Sequence, residues 1–583
     1  MLTINKTEDS VIIQTKSYIL TINKNNPYYA NLFDNKKNNI CSLFLLSGCD
    51  SDRDWELIHN ISKINVNQKN KCIQISFSSK SNVWGKKEYV LQCYESHIEY
   101  FIKINGKGNI TDLHFFEGIL RDSEKHNRFG TYNYHPTYPR PYRDHSEASK
   151  YNFTQILLPQ PNSVFKQYFR PYEFITNTVH HEANFFGGTW MFTPAPFVYP
   201  AKFDSLWTAF SLAVKPKEYN FIAFEYVGGE EFGFKVTYQG YTTINKQWES
   251  PHIQIFFSDD EFKSIAEARN LLVKTGFLKN TKKTIYPWWK EPLFCGWGEQ
   301  CSYAYEGGNP TIYATEQNYR RFIKQLEDKG VNPGIIIIDD RWMFYHSDPY
   351  PDRGKWNDLK KFIAEQHKKG RKVLMWIPFF QCDGLPIKEC ITQDNKPVSA
   401  DPTNPAFIKR FTGRVRFMLS KEGLDADGFK VDFTANVPSG ERYKRYGKIW
   451  GVEILRQYLN VLYKEAKKIK KDCLVISHCC NPYFEDVTDM LRLNDIHSTF
   501  KNIVPTMTFR AKVARAASSL WLIDMDNWPC PSYKAWKEYM KIQPQFGVPS
   551  LYYCSQIDGD RKYIKDEDYK LIKELWGKYR SNL

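Results

Sequence analysis

Asp427-Gly428-Phe429-Lys430-Val431-Asp432-Phe433 is the stretch that decides how this chain is read. Gly423 is taken as the stop of a preceding helix and Leu424-Asp425-Ala426 as the lead-in. Apolar Phe429 and Val431 then alternate with charged Lys430 and Asp432 at the period of a strand. Lys430 and Asp432 therefore share one face. Removing an ammonium and a carboxylate from water costs several kcal/mol per ion unless the two pair and gain further hydrogen bonds. Such a strand either carries an ion pair that fixes packing or, at the C-terminal end of a barrel strand, carries chemistry.

Working outward, the chain from Pro292 onward alternates strands with amphipathic helices, the pattern of repeated βα units on a parallel sheet. Eight strands are predicted, at 293–296, 334–339, 372–378, 428–433, 473–477, 490–495, 520–524 and 549–553. Helices are predicted over 316–329, 359–369, 405–422, 451–469, 509–517 and 533–543, with a last one over 566–579. Eight such units close a (β/α)8 barrel.

Before about residue 270 the rhythm differs. Short β-type runs at 11–13, 71–77, 98–103 and 232–238 are punctuated by Asn, Gly and Pro, and long helical patterns are missing. A strand ends near 257–260 and a helix over 261–275 leads on. Loops rich in Tyr, Pro and Phe, at 132–171 and 187–200, are long enough to reach a neighbouring domain's mouth. The expected fold class is multidomain α and β: an N-terminal β-sandwich over 1–270, a linker over 271–290 and a (β/α)8 TIM barrel over 291–583.

Composition narrows the function classes. The 583 residues are 42% hydrophobic, enough for large cores, and the 16% aromatic content suits both a sandwich core and stacking against flat sugar faces. Thirteen cysteines at irregular spacing, with no CxxC pair, fit reduced thiols. Cys479-Cys480 and Cys295/Cys301 lack zinc-ligand spacing, so neither metal nor cofactor is expected. The first ten residues lack a basic segment followed by an apolar run, and stretches such as 335–338 are too short to cross a bilayer. A cytoplasmic protein with no membrane partner is the expectation. The formal charge of +15 is spread along the chain, runs such as 467–471 sit on a solvated helix face, and no nucleic-acid motif accompanies them. Nucleic acid is not an expected partner.

In such a barrel the site gathers at the C-terminal strand ends. Strand one ends at Trp297, and strand two runs into Asp339-Asp340-Arg341-Trp342. Strand three carries Trp376 and Pro378, strand four ends Lys430-Val431-Asp432, and strand five runs into Ser477-His478. Strand six ends Arg492-Leu493-Asn494-Asp495, and strand seven ends Asp524-Met525-Asp526-Asn527-Trp528. Carboxylates and indoles around one opening suit a polyhydroxylated ring, because carboxylates accept bonds from vicinal hydroxyls while tryptophan covers the apolar face. Each residue also has a purely structural reading: Asp339 or Asp340 as an N-cap, Asp524 and Asp526 as ties for the loop around Pro529, His478 as a core histidine, Trp376 as barrel packing.

This order of motifs resembles the retaining α-glycosidases of glycoside hydrolase clan D, families 31 and 36, over about residues 290–560. A β-sandwich ahead of the barrel is usual in that clan. Asp339-Asp340-Arg341-Trp342 is similar to the family 36 Asp-Asp-Gly-Trp segment that binds sugar hydroxyls, with Arg341 in place of Gly. Gly428 to Phe433 is similar to the strand whose last Asp is the nucleophile, with the lysine two residues earlier touching substrate. Arg492-Leu493-Asn494-Asp495 falls where the clan places its acid/base. Thr434-Ala435-Asn436 replaces the Gly-Glu that commonly follows in family 31.

The resemblance implies an exo-acting retaining α-glycosidase that cleaves a terminal α-linked hexose from an oligosaccharide or glycoside. Asp432 is the implied nucleophile and Asp495 the acid/base. Asp339, Asp340, Trp342, Trp376, Lys430, Arg492, Trp297, His478 and Asp526 are the implied substrate-binding residues. Retention requires two carboxylates about 5–5.5 Å apart. Asp432 must stay ionised, for which Lys430 is the expected reason, and Asp495 must hold a proton near neutral pH. The N-terminal sandwich is expected to lend a loop, 132–143, to the rim. A transglycosidase of the same clan and a non-catalytic carbohydrate-binding protein on a decayed barrel are the alternatives. Self-association is left open.

Overall fold

Four consecutive isoleucines, Ile335–Ile338, form a strand with no exposed surface. β-branched side chains fit a pleat buried on both faces, as in a parallel sheet covered by helices. The computed structural model describes residues 2–583 except 55, 57, 117–152, 158–167, 170–193, 195, 204–205, 228–232, 305–307, 435, 439–442, 494 and 496–502. The expected loops at 132–171 and 187–200, with the 132–143 rim segment, lie largely outside the described residues.

The barrel strands are β1 (Leu293–Cys295), β2 (Ile335–Ile338), β3 (Lys372–Pro378), β4 (Gly428–Asp432), β5 (Leu474–Ser477), β6 (Met490–Arg492), β7 (Leu522–Asp524) and β8 (Ser550–Leu551). They run parallel in the order 7-6-5-4-3-2-1-8. A parallel bridge between Asp524 and Val548 joins the ends, with Val548 N–H donating to Ile523 O at 2.7 Å. The sheet is therefore closed, as eight βα units predict. Register places Trp376 beside Lys430 and Pro378 beside Asp432.

Several boundaries move. β6 stops at Arg492, so Asp495 lies on the loop beyond it, and Trp297 opens a helix, Trp297–Tyr303, in place of ending β1. The helix before β4, Pro405–Leu419, closes at Ser420, well short of Gly423. Gly423 still cannot carry a side chain, because a Cβ there would run into the Phe417 carbonyl. Helix Ile503–Ala517 starts six residues before the predicted 509, with Pro505 in its first turn, where the missing N–H costs nothing.

The N-terminal region is a sandwich. An 11-stranded antiparallel sheet faces a four-stranded one, which runs in the order Ala223–Val227, Gly233–Ile244, Gly108–Phe115, Cys49–Ser51. Aromatic pairs fill the space between them, including Tyr100–Phe115 at 6.1 Å, Tyr199–Phe224 at 5.3 Å and Phe210–Phe234 at 5.2 Å. A five-stranded meander from Thr3–Lys6 to Asn39–Phe44 completes the region. All thirteen cysteines are free thiols.

Sandwich and barrel are packed together. Helix Glu261–Thr275, capped by Asp260 and ended by left-handed Gly276, passes residue 270 without a break. From it Arg269 makes a two-pronged bond to Glu485 (3.2 and 2.8 Å), between β5 and β6. Helix Val452–Ile469, which follows β4, receives its first carbonyl partners from the sandwich: Val452 N–H bonds Phe221 O (2.9 Å) and Glu453 N–H bonds Tyr219 O (3.0 Å). Helix N-termini leave such donors unmatched. Gly451 makes this approach feasible, with φ 61° and a position where any Cβ would strike Phe221 O.

Candidate active site

Strand alternation turns Trp376, Lys430 and Asp432 inward at the C-terminal end of the barrel. Lys430 is buried, and its ammonium pairs with Asp339 Oδ2 at 2.6 Å, across from β2. The same oxygen accepts from the Cys295 thiol at 2.9 Å, on β1. Burial and the Asp339 charge hold that thiol protonated. The direct partner of Lys430 is thus Asp339, while its charge also helps keep Asp432 ionised, as expected, behind His478 and Arg492. Lys430 also sits 5.2 Å over the Tyr552 ring.

Asp432 has four polar neighbours. Trp376 Nε1 donates to Oδ2 at 2.9 Å, Phe433 N–H donates to Oδ1 at 2.8 Å, and Arg492 Nη1 lies 3.7 Å from Oδ2. Phe433 takes φ 53°, a left-handed turn that curls its N–H back onto the carboxylate. His478 Nε2 stands 3.4 Å from Oδ1. Burial by itself would raise the Asp432 carboxyl; His478, the Arg492 guanidinium and the Lys430 ammonium outweigh it and hold the group well below the usual carboxylate range.

Arg492 is the hub. Its Nε donates to Asp526 Oδ2, its Nη2 to Asp495 Oδ1, and its Nη1 lies 2.9 Å from His478 Nε2. One guanidinium thus touches Asp432, Asp495 and Asp526. Burial, helped by the charges of Asp526 and Asp432, pushes the Asp495 carboxyl up to about 7 against the pull of Arg492. Burial and Arg492 push His478 down to about 4, so its ring is neutral at neutral pH. Arg510, from helix Ile503–Ala517, is fully buried and donates to the carbonyls of Leu493 (3.3 Å) and Asp495 (2.9 Å), which anchors the backbone of those two residues. Side-chain exposure of Asp432 (13%) and Asp495 (19%) exceeds that of Arg492 (2%) and Asp526 (0%), so the first two open toward the mouth.

The other expected site residues divide into two groups. Asp340 stands at the mouth, 2.8 Å from His346 Nε2, and Trp297 is half-buried, packed edge-on to Trp528 at 5.6 Å. Asp339, Trp376 and His478 lie deeper, bonded as above. Trp342 is not at the opening: it is fully buried, and its indole N–H donates to the Trp376 carbonyl at 2.8 Å, so it supports β3 from behind. Asp526 is fully buried, its carboxylate taken by Arg492 and by Trp528 N–H at 3.1 Å, which orients Arg492. Arg341, at the position where family 36 has Gly, takes φ 68°, the conformation glycine adopts freely.

Two residues escaped sequence reasoning. His346 bonds Asp340 and packs 5.6 Å from Trp376; its only trace was a histidine six residues further along the same loop. Tyr552 floors the site below Lys430 and Arg492, and extending the strand-end rule to β8 would have found it. Asp524, which the sequence did place at the end of strand seven, is buried against Ser550 and pushed up to about 7 by burial and by Asp526. Among the described residues, no group of three or more His, Cys, Asp or Glu side chains is arranged to hold a metal ion.

No protein-family model matches the chain. No curated protein sequence matches it either. Solved structures do. A GH31 family sulfoquinovosidase from E. rectale superposes with a TM-score of 0.56 at 12% identity, over 99% of this chain and 82% of that one. A GH31 dextranase from Flavobacterium johnsoniae gives 0.52 at 11%, over 99% of this chain and 60% of that enzyme, so this chain spans less than two thirds of it. An α-galactosidase from Thermus thermophilus gives 0.50 at 12%, over 88% and 94%. At such identities the likeness is one of architecture. Sandwich, closed barrel and their order along the chain are those of the glycoside hydrolase family 31 fold.

Proposed function

We propose that this protein is a retaining glycosidase acting on a terminal α-linked hexose, with Asp432 as nucleophile and Asp495 as acid/base. The observation that carries the reading is the split in proton affinity between two mouth-facing carboxylates on one guanidinium: Asp432 held well below the usual range, Asp495 raised to about 7. Double displacement needs that division, an ionised attacker and a protonated donor. Asp432 would attack the anomeric carbon to form a glycosyl ester while Asp495 protonates the leaving oxygen.

Ester formation removes the Asp432 charge, one of the charges that raises Asp495. The proton affinity of Asp495 then drops, which suits its second task of taking a proton from water. Asp340 and the Lys430–Asp339 pair would bind the sugar hydroxyls. The neighbours lend support: the dextranase was solved with isomaltotriose and the α-galactosidase with an aryl α-galactoside. A panel of 4-nitrophenyl α-hexosides tests the reading. Turnover of one member, abolished in Asp432→Ala, is expected; turnover unchanged in that variant would remove the proposed nucleophile.

A further inference from the structure

Widely exposed large apolar side chains are few among the described residues, and they are unevenly placed. Of ten, only Ile285 and Leu583 lie away from the βα loops at the barrel mouth. Clustered exposed apolar surface marks a binding site more often than chance. Its densest part is Phe344 (59% exposed) and Tyr345 (44%), whose rings meet edge to face at 4.7 Å on the loop after β2.

That loop is pinned. Phe344 N–H bonds Tyr350 O at 3.0 Å, Asp352 N–H bonds Trp342 O at 3.0 Å, and Arg341 Nη1 holds Phe344 O at 3.2 Å. Tyr350 stacks on Phe417 at 4.4 Å, with the Arg414 guanidinium 4.4 Å from its ring. Tyr345 lies on Gly384, where an added Cβ would come within 2.6 Å of its ring. The next residue along, His346, bonds Asp340 and packs on Trp376, which holds Asp432. The exposed rings are therefore continuous with the proposed catalytic centre.

Rings held rigid before binding lose little entropy when a ligand covers them. Arg341 and Asp383, paired at 3.5 Å and about one third exposed, flank them with donors and acceptors for hydroxyls. Aromatic faces edged by such polar groups match a pyranose ring, apolar on its C–H faces and polar around its rim. A terminal hexose bound at Asp432 sends the rest of its chain out of the mouth, along these loops.

We propose that Phe344 and Tyr345 form a stacking platform for the leaving-group side of an α-linked oligosaccharide, so that the substrate is longer than a disaccharide. This rests on the glycosidase reading above. The test compares wild type, Phe344→Ala/Tyr345→Ala and Phe344→Trp on two substrates with the same terminal hexose, an aryl α-hexoside and a tetrasaccharide. Binding of maltotetraose, isomaltotetraose and stachyose is read in parallel by saturation-transfer NMR.

The double variant should lose about tenfold in kcat/KM on the tetrasaccharide, keep the aryl hexoside within about twofold, and Phe344→Trp should keep both. Equal kcat/KM losses on both substrates, or none, overturn the platform and leave the glycosidase reading intact. If wild type turns over neither substrate, that reading fails. Ring-dependent tetrasaccharide binding would then still support the platform, and binding that is absent or indifferent to the rings would overturn it. Loss of self-association in the double variant, with sugar binding unchanged, would assign the rings to a protein contact and also overturn it.

Discussion

Asp427 and Asp432 bracket β4, as Asp489 and Asp495 bracket β6, and the two ends of each strand treat the same side chain differently. At the closed end, Asp427 meets His367 (2.7 Å), Lys372 (3.1 Å) and Lys470 (3.6 Å) and accepts from Val373 N–H (2.9 Å). Asp489 repeats the device with Lys467 (2.7 Å), Lys283 (3.2 Å), Tyr463 (2.8 Å) and Val475 N–H (3.0 Å). Each carboxylate meets two or more cations, Asp427 sharing His367 and Lys470 with Asp425, and ties its strand to the neighbouring one. At the open end, Asp432, Asp495 and Asp526 share a single guanidinium. Several fixed partners make an aspartate a structural tie; three carboxylates on one guanidinium make the ionisation of each depend on the others, and proton transfer can use that dependence.

Substituting across this divide gives the largest effects. Asp432→Ala should lose on the order of 10⁴-fold or more in kcat while keeping its fold. Asp427→Ala should do the reverse, losing about 1–3 kcal/mol in denaturant titrations because the buried Val373 N–H and the partly buried His367, Lys372 and Lys470 lose their acceptor, with kcat of the folded fraction unchanged. A folded but inactive Asp427→Ala would break the comparison. Asp495→Ala should cost about 10²–10⁴-fold with a poor leaving group and much less with a glycosyl fluoride.

The pH profile sharpens the same point. Asp495 must be protonated to donate, so kcat/KM should fall as pH rises through about 7. On the acid side it should hold to below the ordinary carboxylate range, because Asp432 stays ionised there. The Asp526 charge raises Asp495, so Asp526→Asn should move the alkaline limb to lower pH by about one unit. An unmoved limb would mean that Asp526 does not tune the donor. Smallest of all, Trp376→Phe removes one N–H from Asp432 and should cost about tenfold in kcat.

The barrel was legible because its strands are local patterns: Ile335–Ile338 and the Phe429/Val431 alternation need no knowledge of distant contacts. Strand-end residues followed from the barrel rule, which brought Asp432, Arg492, Trp376 and Asp340 to one mouth. Pairings were not legible. Lys430 and Asp432 are two residues apart, yet the ammonium pairs with Asp339, 91 residues away, because inward side chains of different strands meet inside a closed barrel. Trp342 and Asp526 share the polar or aromatic character of their neighbours, and only packing turned them away from the opening. Gly423 read as a helix stop because glycine favours that place, whereas Ser420 ends the helix and Gly423 is required by the close Phe417 carbonyl.

The central claim is that Asp432 attacks while Asp495 donates. Incubation with a fluorinated α-hexosyl fluoride of the accepted sugar, followed by peptide mass spectrometry, tests it most directly. The account predicts a glycosyl adduct on Asp432; an adduct on Asp495 or Asp526, or a product of inverted configuration with no adduct, would contradict it.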